Sequence, residues 1–178
     1  MQELSIDMQL SDIKSVISGE WKGIPFKEYG KQLAKREDAL PYLLMLTHDK
    51  DPKIAWRAAY LMDIINDQAP DKLLSFLIEL KERLNTEENQ SLLRHFTRIL
   101  GKHDVLTYAD GTFIDSCFKH LISKRSAIAV KANFLILIQQ LLIHYPELKH
   151  ELTEIFELVS QDASPAIRCR LKQIIETH

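Results

Sequence analysis

Apolar residues recur at three- and four-residue steps through most of the 178-residue chain, and no run of strict alternation bounded by turn residues interrupts them. That pattern predicts an all-α protein. From residue 38 onward the helical stretches are separated by polar breaks such as THDKDP, NDQAPD, NTEEN, SKRS, HYPE and QDASP. Connections this short make consecutive helices antiparallel neighbours. First helices are predicted over 38–48, 71–85, 112–124 and 146–161, and second helices over 53–66, 90–103, 127–144 and 165–177. The break from Gly101 to Gly111 is longer than the others, and it is the loop expected to contribute to a site.

The helices fall into pairs that repeat. Arg57, Arg94, Lys131 and Arg168 are spaced by 37 residues, and each follows an apolar residue: Trp56, Leu93, Val130 and Ile167. A single helical pair cannot bury its own apolar face, whereas four stacked pairs bury a continuous one. Before the array, Leu10, Ile13, Val16 and Ile17 suggest a short amphipathic helix, followed by breaks at Ser18-Gly19-Glu20 and Gly23-Ile24-Pro25 and a second helical piece over 26–36. The organisation read from these signals is an N-terminal helical cap or arm over 1–37 and a repeat array over 38–178, together one structural domain. Helix 127–144 is nearly all apolar after Lys131, but Asn133, Gln139 and Gln140 interrupt it. It reads as a buried central helix, not a membrane span.

The stretch Asp51-Pro52-Lys53-Ile54-Ala55-Trp56-Arg57-Ala58-Ala59, and Asp162-Ala163-Ser164-Pro165-Ala166-Ile167-Arg168 in the last pair, resemble the turn and second-helix start of HEAT repeats, of the ARM/HEAT type. The second pair keeps Arg94 but carries Glu88 and Asn89 in its turn, and the third has Lys131 and no turn acid. The resemblance implies a right-handed α-α superhelix, a HEAT-like solenoid of about four helical pairs with an N-terminal helical cap. It implies second helices lining an inner face, a structural ladder in which Arg57 works with Asp51 and Arg168 with Asp162, and a role in binding macromolecules. Some relatives of such arrays are DNA glycosylases, which keeps a degenerate member of that group as an alternative.

Charge narrows the reading. Lys and Arg total 23 against 25 Asp and Glu, for a net −2, so the large basic excess of a dedicated nucleic-acid binder is missing. The distribution is uneven, however. The four second helices carry +1, +3, +1 and +2, a total of +7, while the first helices are net acidic. Arg94, Arg98 and Lys102 form one stripe at four-residue spacing, and Arg168 and Lys172 repeat it. With Lys131 these are the expected binding residues. The expected partner is an acidic protein segment, with nucleic acid as the alternative and no membrane.

Other chemistry has little foothold. The seven histidines show no metal spacing, there is no GxxxxGK[ST], GxGxxG or GxSxG motif, and the acidic face Glu147, Glu151, Glu154 and Glu157 shares its helix with an ordinary apolar side. No cofactor, metal or catalytic residue is predicted, and a non-enzymatic binding or scaffold role is expected. Cys117 and Cys169 form no disulfide framework and read as small packed residues; the N-terminus lacks the pattern of a secretion signal. A cytoplasmic protein is the expectation.

Overall fold

The computed structural model describes residues 12–19 and 26–178. Among them every regular element is helical. Leu10, Glu20 and Gly23-Ile24-Pro25, all used in reading the cap, lie outside the described residues. The chain divides into two compact units, Met1–Ser75 and Phe76–His178. The division follows the first helical pair, so the described residues read as a cap share a unit with that pair.

In the first unit a short helix α1 (12–18) buries Ile13 and Ile17. Helix α2 (Phe26–Leu33) and helix α3 (Ala39–Leu46) both pack on α4 (Pro52–Gln68). Asp51 starts α4 by accepting a hydrogen bond from the Lys53 amide at 2.8 Å, and Pro52 supplies a preset φ in the first turn. Buried Gly30 lets α2 approach closely, because a Cβ there would stand 2.9 Å from the Cβ of Ile64. Arg57 is buried, and its Nη1 donates to the carbonyls of Ile17 and, at 3.0 Å, Gly19. A cation at the C-terminal end of α1 thus satisfies carbonyls that the helix itself leaves open.

The second unit has two layers. Helices α5 (Leu77–Leu84), α7 (Gly111–Ile122) and α9 (Leu148–Val159) form one, and α6 (Gln90–Leu100), α8 (Ile128–His144) and α10 (Pro165–Thr177) form the other. Each helix of one layer packs against its sequence partner in the other. Phe96, Phe113 and Phe134 are the largest side chains in the core between them. Helix α8 touches α6, α7, α9 and α10, which accounts for its apolar character on several sides. Predicted and observed bounds agree closely for the second helices, except that the one predicted over 90–103 ends at Leu100. The predicted helix 71–85 differs: it begins as 3-10 turns over Pro70–Phe76 and becomes α-helical only at Leu77, where Phe76 offers no side-chain cap.

The long break from Gly101 to Gly111 is packed structure. Val105 and Tyr108 are buried, the Tyr108 hydroxyl donates to the Leu100 carbonyl at 2.9 Å, and its ring meets Phe113 edge-on at 5.3 Å. Asp110 then caps α7 by accepting from the Phe113 amide at 2.9 Å and binds Lys81 Nζ at 2.6 Å. Its conformation is explained by these internal bonds.

Candidate partner-binding face

Helix α6 buries Leu92, Leu93, His95, Phe96, Thr97, Ile99 and Leu100. What remains for its outer side is Arg94, exposed, and Arg98, half-buried; Lys102, expected on the same helix, lies exposed in the turn after α6 ends at Leu100. Asn89 fixes the start of the helix by accepting from the Ser91 amide at 2.9 Å, so Arg94 and Arg98 stand on a capped, rigid element.

Side-chain amides of α8 bond to the edge of α6. Asn133 Nδ2 donates to the Arg94 carbonyl at 3.0 Å and to Thr97 Oγ1 at 3.1 Å, and Gln140 Nε2 donates to the Gly101 carbonyl at 2.8 Å. The polar residues that interrupt the apolar run of α8 are therefore inter-helix ties. On its other side, Gln139 Oε1 accepts from Arg170 Nη2 of α10 at 3.0 Å.

Between these two ties α8 presents aliphatic side chains to solvent. Ile136 is 41% exposed and Ile143 64% exposed. They lie seven residues apart, close to two full turns, and so share one stripe. A cleft of about 290 Å³ is lined by Lys102, Asp104, Gln140, Ile143 and His144, placing the end of the basic stripe beside the aliphatic one. Sequence reading treated α8 as a buried helix and missed Ile136 and Ile143. The signal available was an apolar helix in a two-layer array, where one side of every helix must remain uncovered.

The other predicted cations occupy different settings. Arg168 and Lys172 are exposed. At about 100° per residue they stand roughly 160° around α10 from Arg170, the residue that reaches α8. They point away from α8, and Lys172 lies 3.7 Å from Glu176. Lys131 is half-buried at the opposite end of α8 from Ile143. Equal spacing in sequence did not produce equal burial, because what packs over the position differs: the end of α1 covers Arg57, and the start of α10 stands beside Lys131.

The structural ladder also resolves differently at its two ends. Asp51 serves α4 as its N-cap, whereas α10 is capped by Ser164, which accepts from the Ile167 amide at 3.4 Å. Asp162 pairs with Lys124 at 2.9 Å, with both side chains largely in solvent. Arg57 reaches the carbonyls of α1.

The histidines and cysteines occupy varied settings. His95 and His103 are buried, and His120 stacks on Phe134 with its ring nitrogens beside Ser126 Oγ and the Leu84 carbonyl. Burial raises the Cys117 thiol far above its ordinary range, while Cys169, expected to be packed, is exposed. Among the described residues no His, Cys, Asp and Glu group is arranged to hold a metal ion, and no helix is long and apolar enough to cross a membrane. Glu147, Glu151, Glu154 and Glu157 are all exposed.

The family described as HEAT repeat domain matches residues 18–178, and the chain belongs to it. HEAT repeats in general are protein-interaction scaffolds. Comparison with curated proteins and with solved structures gave no match.

Proposed function

We propose that the chain is a non-catalytic, cytoplasmic binding module that uses the face of α6, α8 and the adjoining edge of α10 to hold an acidic segment of another protein. The carrying observation is the exposed Ile136 and Ile143 stripe beside Arg94, Arg98 and Lys102. A stable interface needs desolvated apolar contacts for affinity and charge for partner choice. This face offers both, with Arg94 and Arg98 on a helix capped by Asn89. Arg170 closes the far side through its bond to Gln139. The segment expected is amphipathic, with aliphatic residues set over α8 and carboxylates toward α6.

The test is fluorescence anisotropy with a labelled peptide that repeats Leu every third or fourth position among Glu, compared with single-stranded DNA at 50 and 200 mM salt. Wild type should bind the peptide, and both Arg94→Glu/Arg98→Glu and Ile136→Asp/Ile143→Asp should weaken it about tenfold or more, since 1.4 kcal/mol is a tenfold change. Tight DNA binding that collapses between the two salt concentrations would move the reading to nucleic acid. Peptide binding unaffected by either double substitution would reject the face.

A further inference from the structure

A second concavity lies at the turn end of the last two helical pairs, remote from Ile143. It is a groove of about 760 Å³ between the α7–α8 and α9–α10 connections, lined by Ile122, Ile128 and Lys131 on one side and Leu158, Val159 and Ile167 on the other. Lys131 is five residues before Ile136, about 140° around α8 from it. The groove therefore does not form part of the face described above.

Two of its features call for an occupant. The first is aliphatic surface in water: Ile128 is 58% and Leu158 68% exposed. An aliphatic side chain left this open gains from being covered. The second is Lys131. Its ammonium makes no hydrogen bond and no ion pair among the described residues, although the residue is half-buried. Burial alone lowers its pKa, with no carboxylate acting to restore it. The acid in the groove, Asp162, is engaged by Lys124 at 2.9 Å. A partly desolvated cation without a counterion is unfavourable in the free protein and becomes favourable when an anion arrives.

We infer that this groove binds a short peptide segment of a partner protein, in which a carboxylate side chain pairs with Lys131 and neighbouring aliphatic side chains cover Ile128 and Leu158. Charge complementarity selects an acid: with Asp162 neutralised by Lys124, the groove carries one uncompensated positive charge. Its volume lies in the range of small-ligand and peptide sites. The walls stand open at Leu158 and Ile128, which suits a chain that continues past both ends better than an acyl tail that needs enclosure. The groove thus extends the binding role to a second contact, one that discriminates acidic from neutral or basic segments.

The test uses the full chain with ¹³C-labelled Ile and Leu methyl groups, titrated with acetyl-Leu-Glu-Leu-Asp-Leu-amide and followed by NMR. Saturable shifts of the methyls of Ile122, Ile128, Leu158 and Ile167 are expected. Lys131→Met, which keeps the stem and removes the charge, should weaken binding about tenfold, and Leu158→Asp, at a position already in water, should weaken it at least as much. The Gln/Asn version of the peptide should bind the wild type about tenfold more weakly. Absence of shifts at these four residues, or equal affinity at them for Lys131→Met or for the neutral peptide, would overturn the proposal, whereas shifts of Ile136 and Ile143 report the separate α6–α8 face. Shifts with decanoate but none with the peptide would also overturn it and would identify an acyl site.

Discussion

Replacing Asp110 by Asn separates two roles that one carboxylate combines. Its Oδ1 accepts from the Phe113 amide at 2.9 Å and from Thr112 Oγ1 at 2.7 Å, which caps α7, while Oδ2 binds Lys81 Nζ at 2.6 Å. The Lys81 side chain is 8% exposed and that of Asp110 50%. The hydrogen bond from Lys81, then those from Thr112 and Phe113, hold the carboxyl at about 2 against an ordinary 3.8. A depressed carboxylate stabilises the folded chain above its ordinary pKa, and that stability drains away as pH falls from about 5 toward about 2. At full strength the depression corresponds to about 2.4 kcal/mol. Because half of the side chain is in water, screening reduces this to about 1 kcal/mol. Asp110→Asn keeps the oxygen that caps α7 and leaves Lys81 buried without its counterion, so the expected cost at pH 7 is about 2 kcal/mol. Asp110→Ala loses the cap as well, for about 1 kcal/mol more. Urea unfolding followed by far-UV circular dichroism at pH 7, 5 and 3 measures both variants. The gap between wild type and Asp110→Asn should narrow at pH 3. A variant as stable as wild type at pH 7, or a gap independent of pH, would refute the assignment of the stabilisation to the Lys81 pair.

Three further substitutions probe the fold. Gly30→Ala should lower stability by about 1 kcal/mol in urea unfolding: helix propensity favours Ala by about 1 kcal/mol, but the new Cβ meets the β-branched stem of Ile64 at 2.6 and 2.9 Å, and such overpacking costs roughly 1–3 kcal/mol. A stabilised variant would show that α2 can move off α4 without penalty. Arg57→Met should cost about 2 kcal/mol and speed amide exchange in residues 12–19, since the carbonyls of Ile17 and Gly19 lose a charged donor; unchanged exchange would count against the tie. Ser116→Ala should raise the urea midpoint by the equivalent of about 1 kcal/mol, because Ser116 Oγ is buried with no hydrogen-bond partner among the described residues. A loss of stability there would mean that the hydroxyl is satisfied.

The secondary structure was legible because its causes are local. The 3.6-residue periodicity, the caps at Asp51, Asn89 and Ser164, and the prolines after two of them set the second helices before any tertiary contact exists. The 37-residue register identified the repeat for the same reason: it is a property of the chain. Charge on α6 was also legible, since residues four apart on one helix must share a side.

Which side of each helix meets solvent was decided by packing. Arg57, Arg94, Lys131 and Arg168 hold one repeat position, yet the first is buried under α1, the second stands in water, the third lies half-covered in a groove and the fourth points away from α8. In the last three pairs the residue before that position (Leu93, Val130, Ile167) and the residue three after it (Thr97, Phe134, Leu171) are buried, so the position keeps its direction on the helix. The neighbours on either side then decide whether that direction is core, groove or solvent. The sequence alone determined an all-helical repeat protein with a basic layer of second helices. Tertiary packing alone brought Ile136 and Ile143 out beside that charge and left Lys131 without a counterion among the described residues, because exposure belongs to the arrangement of helices around a residue and not to the residue.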